Sequence, residues 1–503
     1  MMSSHERVVR FALGLPLALA CLAGCGGAEA TAPGDGGVDG AATVPLSDFA
    51  SIGEVAVLQG VKVSVGQDGA PIKETAPVVS NRPMLVRVFI KAVPGERFRA
   101  RTLKGTLVVV QPDASEQEVT DQRAIAAAST DGVLGSSLNF SVPADQVQEG
   151  TSFRVRITDS AGGVLTYPAD GVDSLRAARS GDIKIRVVPI NYSGGTTVRL
   201  PDTSASQLDR YKSTLFRMYP TATVSVTLRQ PLDWSTPVAP DGTGWDEVLN
   251  AVAEARFNDN VPDDIYYVGA LAPEATLSAY CFGGCVLGLA PLAGPSDVAA
   301  RVALVAGFGG SVSATTLLQE LGHAMGREHA KCGGAAGPDP KFPYPNGAIG
   351  SWGYDLATQT LLAPDDYRDF MGYCQPVWIS DYTWAGLFKR LDYVRKTTLG
   401  KAIVGGATRS GDRVRAIRLD PTKGIAHWGS QILGMPAPAA ATARVTFSDG
   451  ALAREREVPV QDLPTLRGSQ LFVPADLPMP RTLKLYGATF TVSLASIANP
   501  GTQ

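Results

Sequence analysis

Between residues 182 and 398 the sequence alternates strand-like and helix-like segments, and this alternation limits the fold more than any other feature. Short runs rich in β-branched residues predict strands at 183–190, 224–228, 265–268 and 302–306. Helical spacing of apolar residues predicts helices at 206–219, 245–257, about 313–326, and behind the N-cap Ser380. Because such alternation is typical of a mixed α/β layer, we expect an α/β domain over 182–398.

Two regions without this alternation flank the central segment. Residues 46–181 contain short strand-like runs separated by turn residues, with no convincing helix between them, and residues 399–503 again contain strand-like runs. In the second region the runs at 414–418, 443–447 and 483–492 predict strands. The predicted fold class is therefore multidomain, with a central α/β domain between N- and C-terminal β-sandwich modules.

The first 24 residues predict an export signal. Arg7 and Arg10 precede a short apolar run over 11–20, which ends in small residues and Cys25. A basic flank, a short apolar core and small residues at its end are typical of a secretory signal peptide. The closing Leu22-Ala23-Gly24-Cys25 resembles the lipobox of bacterial lipoproteins. That resemblance implies that residues 1–24 are removed and that Cys25 carries a lipid. The alternative is an ordinary cleaved signal with an incidental cysteine.

Residues 25–45 are dominated by small and polar residues and contain no aromatic, which is typical of a flexible tether. A lipid followed by a tether predicts an exported protein held on the bacterial cell envelope, at the outer membrane or cell surface. The membrane would then be a partner through the N-terminal lipid. Lys+Arg 45 against Asp+Glu 48 gives a net charge of −3, which argues against a nucleic-acid partner.

Four cysteines remain after the signal peptide and Cys25 are set aside, namely Cys281, Cys285, Cys332 and Cys374. An even number in an exported protein suggests two disulfides, for which three pairings exist. Cys281 with Cys285 would close a small loop and leave Cys332 to join Cys374. A four-cysteine zinc site is the competing interpretation, but no CxxC spacing occurs and the compartment is oxidising.

The central segment also carries a cluster of residues suited to chemistry, at 315–329. On a helix, Gln319 and His323 lie one turn apart and project from the same side, so both could face one metal ion. Glu320 stands beside them as a candidate proton acceptor for a metal-bound water. Gly326 could end the helix in a left-handed conformation and turn the chain back, which would deliver His329 as a further ligand.

This segment resembles the extended zinc signature of the metzincin metallopeptidases, H-E-x-x-H-x-x-G-x-x-H. Asp369-Phe370-Met371-Gly372-Tyr373-Cys374 resembles the metzincin Met-turn. Within the clan, the combination is most similar to the large secreted mucinase-type (StcE-like) enzymes and related bacterial lipoproteins. The resemblance covers about residues 182–398.

The resemblance implies a zinc metalloendopeptidase that acts on a protein or glycoprotein substrate. Zn²⁺ would be held by His323, His329 and the group at position 319. Glu320 would be the general base, and Met371 would lie beneath the metal. Tyr373 would stabilise the oxyanion. A Cys332–Cys374 disulfide would tie together two sides of this site.

Position 319 departs from the family, because it holds Gln where the family has its first His ligand. An amide oxygen is a poorer zinc ligand than an imidazole nitrogen, so we expect weaker zinc affinity. Three explanations stay open: weak or water-mediated coordination in an active enzyme, a degenerate site, or a strain-level change or sequencing slip, since His and Gln codons can differ by one base. His427 is the spare histidine of the mature chain, and its sequence context favours a strand residue over a replacement ligand.

Three hypotheses follow from the sequence. The first is a surface lipoprotein with an active metzincin-type peptidase domain. The second is a catalytically inactive pseudopeptidase that acts as a surface binding module, and it is motivated by Gln319. The third, a plain structural lipoprotein, leaves Glu320 and Tyr373 unexplained. The aromatic loop at 342–355 could shape substrate pockets or could be a structural loop with buried aromatics.

Overall fold

The computed structural model describes residues 44–404, 413–433, 441–450 and 452–494. The proposed signal peptide, Cys25 and the tether up to residue 43 lie outside these residues. Twenty-seven strands and six α-helices are present in the described part, which is therefore rich in β structure. No helix within the described residues combines the length and the apolar character that a membrane crossing requires.

The N-terminal part consists of two antiparallel sheets, preceded by the short helix α1 (Leu46–Phe49). The first sheet has the order β3-β2-β1-β4-β7, and the second has the order β10-β8-β5-β6 with β9 beside β8. Their bounds are β1 Ala50–Leu58, β2 Lys62–Gln67, β3 Ala70–Pro71, β4 Met84–Ala92, β5 Arg101–Val110, β6 Glu116–Ile125, β7 Leu138–Val142, β8 Ser152–Asp159, β9 Val164–Tyr167 and β10 Asp173–Ser174.

The two sheets pack face to face. A Cβ atom placed on Gly105 of β5 would lie 2.7 Å from the ring of Phe140 on β7, so the two sheets are in contact at this glycine. Buried residues alternate with more exposed ones along β8 and β7, as expected for strands that turn one face to a core. The β character predicted for this region is confirmed.

The middle of the chain contains a mixed sheet with helices. Its elements are β11 Ile183–Tyr192, α2 Ala205–Met218, β12 Val224–Leu228, β13 Leu232–Trp234, α3 Trp245–Asn258, β14 Ile265–Leu271, α4 Leu277–Tyr280, β15 Gly288–Leu289, β16 Val302–Ala306 and α5 Gly310–Ala324. Strands β12, β11, β14 and β16 are parallel neighbours in that order, and β13 pairs with β11. Strand β15 pairs with β16 in the antiparallel sense and forms one edge of the sheet.

The segment after α5 is mostly irregular and ends in a long helix. It contains β17 Gly353–Asp355, β18 Thr360–Leu362, β19 Arg368–Asp369, β20 Val377–Trp378 and α6 Asp381–Val404. Ser380 caps α6 as predicted, because its hydroxyl oxygen accepts a 3.0 Å hydrogen bond from the Thr383 backbone nitrogen. Trp384 on this helix is fully buried and donates to the backbone oxygen of Pro77, which joins α6 to the N-terminal sheets.

The C-terminal prediction of a β-sandwich is wrong. Strands β21 to β27 form a closed seven-stranded barrel with the order β21-β22-β27-β26-β23-β24-β25. Their bounds are β21 Arg413–Asp420, β22 Ile425–Leu433, β23 Thr442–Ser448, β24 Ala453–Leu463, β25 Gly468–Pro474, β26 Thr482–Leu485 and β27 Ala488–Leu494. Alternating short strands occur in sandwiches and barrels alike. Closure is decided by the pairing of β21 with both β22 and β25, which sequence periodicity does not encode.

The single strand predicted over 483–492 is also corrected. The run folds into the hairpin β26–β27, whose turn is Tyr486-Gly487. Both turn residues have positive φ, 48° at Tyr486 and 84° at Gly487. A Tyr at the first turn position gives no turn signal, and this is why the run has the pattern of one strand.

Candidate metal centre

Helix α5 presents the central residues of the site. Leu317, Leu321 and Met325 are almost completely buried on one side of it, so the apolar spacing fixes how the helix is turned. Gly326 has a φ of 80°, and the Arg327 nitrogen donates to the Gly322 oxygen at 2.9 Å. This is a left-handed helix end of the Schellman type, and it reverses the chain toward His329 as predicted.

His323 and His329 come together at the end of α5. Their Nε2 atoms lie 3.1 Å apart, and both side chains are fully buried. The Nδ1 atom of His323 is 2.7 Å from the Arg327 carbonyl oxygen, and that of His329 is 2.6 Å from the Ala336 carbonyl oxygen. Because a carbonyl only accepts, each Nδ1 carries the proton and each Nε2 carries a free lone pair.

Two lone pairs that face each other at this distance favour a cation between them. Burial lowers the pKa of His323 to about 3 with a further contribution from His329, and burial also lowers the pKa of His329. Both rings are therefore neutral at physiological pH. Two imidazole ligands of one tetrahedral zinc ion would have nitrogens about 3.3 Å apart, given Zn–N bonds of about 2.05 Å. The histidine pair fits zinc in distance, in tautomer and in its backbone support.

Glu320 and Gln319 lie on the same helix beside this pair. Glu320 is buried, its Oε2 has no hydrogen-bond partner among the described residues, and burial raises its pKa well above 4.5. The Gln319 amide nitrogen is also a buried atom without such a partner. Orphaned buried polar atoms are costly, so these two neighbouring side chains of α5 each need a further hydrogen-bond or ligand partner.

The edge strand β15 borders the Glu320 carboxyl. A Cβ atom on Gly288 would lie 2.5 Å from Glu320 Cγ and 2.6 Å from its Oε1. The carboxyl group therefore lies directly against the β15 backbone. Sequence reasoning missed this glycine, because only the sheet pairing reveals which strand lies over the helix.

Met371 lies beneath α5 in a turn that Asp369 stabilises. The Asp369 carboxylate accepts hydrogen bonds from the Met371 nitrogen at 2.9 Å and from the Ser380 nitrogen at 3.0 Å. Met371 is buried, and its sulfur lies next to Gly322, one residue before His323. The turn therefore supports the helix at the position of the candidate ligand.

Tyr373 stands at the open side of the histidine pair. Its ring meets the His329 ring edge to face at 5.1 Å, and 43% of the residue is exposed. Partial burial, together with the nearby Glu320, raises its pKa to about 12. The phenol consequently keeps its proton at neutral pH and can donate a hydrogen bond into the site.

The cysteines pair as Cys281–Cys285 and Cys332–Cys374, four and 42 residues apart in the sequence. The second disulfide joins the loop that follows His329 to the residue after Tyr373. The Tyr373 nitrogen also donates to the Cys332 oxygen, at 3.2 Å. The disulfide therefore holds together the two segments on which His329 and Tyr373 lie.

The structure also shows the surroundings of two further candidates from the sequence, His427 and the aromatic loop at 342–355. His427 lies on β22 of the barrel, between Arg418 of β21 and Ser493 of β27. The aromatic loop at 342–355 packs against the N-terminal sheets, since Tyr354 is buried among residues of β1 and β4 and Val61 bridges to Gly353. Packing against the sheets thus explains Tyr354, whereas Phe342 meets the rings of Tyr344 and Tyr382 edge to face.

The described residues contain no group of three or more His, Cys, Asp or Glu side chains arranged to hold a metal.

Comparisons with known proteins add little. No family model matches the chain, and no curated protein matches it. Among solved structures, a protein from Bacteroides fragilis described as a beta-galactosidase matches with 13% identity and a TM-score of 0.15. The match covers 42% of this chain and 34% of that chain, and a likeness this low carries no inference about fold or function.

Proposed function

We propose that the chain is a zinc-dependent metalloendopeptidase of metzincin type, carried on a lipid-anchored protein of the bacterial envelope. The observation that carries the proposal is the buried histidine pair, with facing Nε2 lone pairs 3.1 Å apart and with both Nδ1 protons donated to backbone carbonyls. The proposed substrate is a protein or glycoprotein.

His323 and His329 would hold the zinc ion, with the Gln319 amide oxygen as a weak third donor. Bound zinc would supply Lewis acidity toward a water molecule and a scissile carbonyl. The Gln319 amide nitrogen has no partner among the described residues, so the amide can reorient at little cost to present its oxygen.

Glu320 would take the proton of the attacking water and pass it to the leaving amine. Its burial raises the pKa well above that of an exposed glutamate, which brings the carboxyl closer to the range that suits a general base. Tyr373 keeps its phenol proton and would donate it as a hydrogen bond to the developing oxyanion. The Cys332–Cys374 disulfide would keep this phenol and His329 in register.

The experiment compares zinc content and peptidase activity in four proteins: the parent, Glu320→Ala, Gln319→His and Gln319→Ala. The proposal expects activity in the parent that is lost in Glu320→Ala with zinc retained. Gln319→His is expected to bind zinc more tightly, and Gln319→Ala to bind it less tightly than the parent. Gln319→Ala is the control that shows whether the amide contributes to zinc binding.

A second candidate function rests on Gln319 itself. If activity arises only in Gln319→His, the parent is a pseudopeptidase and the centre serves binding at the surface. That outcome would contradict the enzyme proposal while leaving the zinc geometry intact.

The lipid anchor is proposed from the sequence, because Cys25 lies outside the described residues. Cys25→Ala is expected to move the protein from the membrane fraction to the soluble fraction and to abolish labelling by a fatty-acid analogue. Retained labelling would contradict the assignment of Cys25 as the lipidated residue.

A further inference from the structure

The C-terminal barrel reaches the candidate metal centre through the turn between β24 and β25. Leu463, the last residue of β24, belongs to the buried core of the central sheet and helix α3, and Leu466 of the turn is partly buried against that core. The Leu292 nitrogen, three residues beyond β15, donates to the Asp462 oxygen at 2.9 Å. Arg467 donates to the Gly334 oxygen at 3.4 Å, in the loop after His329. The barrel is therefore fixed to both segments that border the centre.

A groove of about 530 Å³ lies where these parts meet. Leu292 and Ala336 line it on the central side, and the same Ala336 provides the carbonyl that accepts the His329 Nδ1 proton. Leu485, Tyr486 and Phe490 line it on the barrel side. The groove is thus continuous with the loop that holds His329, and its size is in the range of ligand sites.

Tyr486 at this groove occupies an unfavourable backbone conformation. Its φ is 48° in a two-residue hairpin turn, where Asn, Asp or Gly is the least costly choice. The residue is nevertheless 83% exposed, so burial of its ring does not compensate for the conformation. A strained residue that gains nothing from the fold suggests a role in contact with another molecule.

We propose that this groove binds an extended segment of the polypeptide substrate, with a large apolar side chain of that segment packed against Tyr486. The inference rests on the proposed peptidase function and identifies where the substrate lies beyond the centre. The apolar walls of the groove favour an apolar side chain of the substrate over a polar one. Two carboxyl side chains, Glu328 and Asp462, and one guanidinium, Arg467, line the groove. Because the acidic groups outnumber the basic one, the bound segment is neutral or basic rather than acidic.

The test measures binding independently of cleavage. Fluorescence anisotropy is recorded with the full-length protein in EDTA, using a fluorescein-labelled Gly-Ser peptide that carries a central Leu-Phe-Leu. A matched peptide has Ala at those three positions. Tyr486→Asn removes the ring and installs a favourable turn residue, so the variant keeps or gains stability. We expect it to weaken binding of the Leu-Phe-Leu peptide by about tenfold, as is typical of an aromatic anchor.

Tyr393→Asn is the control, because it removes a partly exposed tyrosine of α6 that does not line the groove. Equal binding of the two peptides, or unchanged binding in Tyr486→Asn, would overturn the proposal. A dimer in sedimentation equilibrium that Tyr486→Asn dissociates would also overturn it, since the occupant would then be a second copy. Failure of the peptidase proposal gives a different result, namely peptide binding without cleavage when zinc is present.

Discussion

The sulfur of Met371 lies so close to Gly322 that a Cβ atom on this glycine would come within 2.4 Å of it. The turn that bears Met371 and the helix that bears His323 are therefore in direct contact at a position where only hydrogen fits. An added methyl group must push the turn away from the helix.

Gly322→Ala is accordingly expected to destabilise the protein by about 1–3 kcal/mol, although alanine is the better helix former, because overpacking outweighs propensity here. Urea unfolding measures the change. Gly135→Ala is the matched control, since a Cβ there meets nothing within 4 Å. Equal free energies of unfolding for the two variants would contradict this prediction, because the Met371 turn would then move aside without loss of stability.

Zinc is expected to raise the melting temperature of the parent, because an ion that binds only the folded chain stabilises it by about 2.7 kcal/mol at a hundredfold excess over its Kd. EDTA should reverse the rise. His329→Ala removes one of the two facing nitrogens and should abolish the zinc-dependent shift, which differential scanning fluorimetry can follow. His427→Ala, on the barrel strand β22, is the control that should keep the shift.

Opening the two disulfides is expected to have unequal effects. In the chain-entropy description, a link that spans 42 residues contributes about 4 kcal/mol and one that spans four contributes about 2 kcal/mol. The double variant Cys332→Ala/Cys374→Ala should therefore lose more stability than Cys281→Ala/Cys285→Ala. It should also lose catalytic rate, since it frees the segment that bears Tyr373. Equal losses in unfolding free energy would contradict the estimate.

A pH-dependent prediction concerns the contact between α3 and the barrel. The buried Asp246 carboxyl lies 3.4 Å from the Arg418 Nε atom, and burial raises the pKa of Asp246 while Arg418 opposes the rise. At a pH between the usual carboxyl pKa and the raised pKa, Asp246 is ionised in the unfolded chain but protonated in the folded chain. The free energy of unfolding therefore falls as the pH rises through this window. Arg418→Met removes the opposing charge and should extend this fall upward in pH.

Chemical unfolding at a series of pH values between 4 and 8 measures the effect. Arg444→Met, at an exposed position of β23, should leave the slope unchanged. A parallel pH profile for Arg418→Met and the parent would show that Asp246 does not sense Arg418.

Local patterns predicted the helices of the candidate centre well. The segment expected over 313–326 is a helix over Gly310–Ala324, and the left-handed Gly326 follows from its place just beyond the helix end. The proton acceptors of the two histidines could not be predicted, because the backbone oxygens of Arg327 and Ala336 carry no side-chain signal. Their positions depend on the path of the chain after the helix.

Long-range pairing accounts for the errors in the C-terminal part. Strand β22 pairs in parallel with β27, more than 50 residues later, and such a pairing leaves no mark in the periodicity of either strand. The contact of Leu463 with the central core likewise depends on how two distant segments dock. A leucine at the end of a strand gives no indication that it will be buried in a neighbouring core.

Because Leu463 is buried in the central core, that core is complete only in a chain that includes the barrel. This side chain is fully buried in a core that also contains Trp245 and Tyr280, although it is supplied by the barrel. A fragment that stops at the end of α6 would expose that apolar surface to water, and recombinant production of such a fragment should favour aggregation. The smallest fragment suited to expression therefore extends through β27, beyond the last residue that resembles a peptidase.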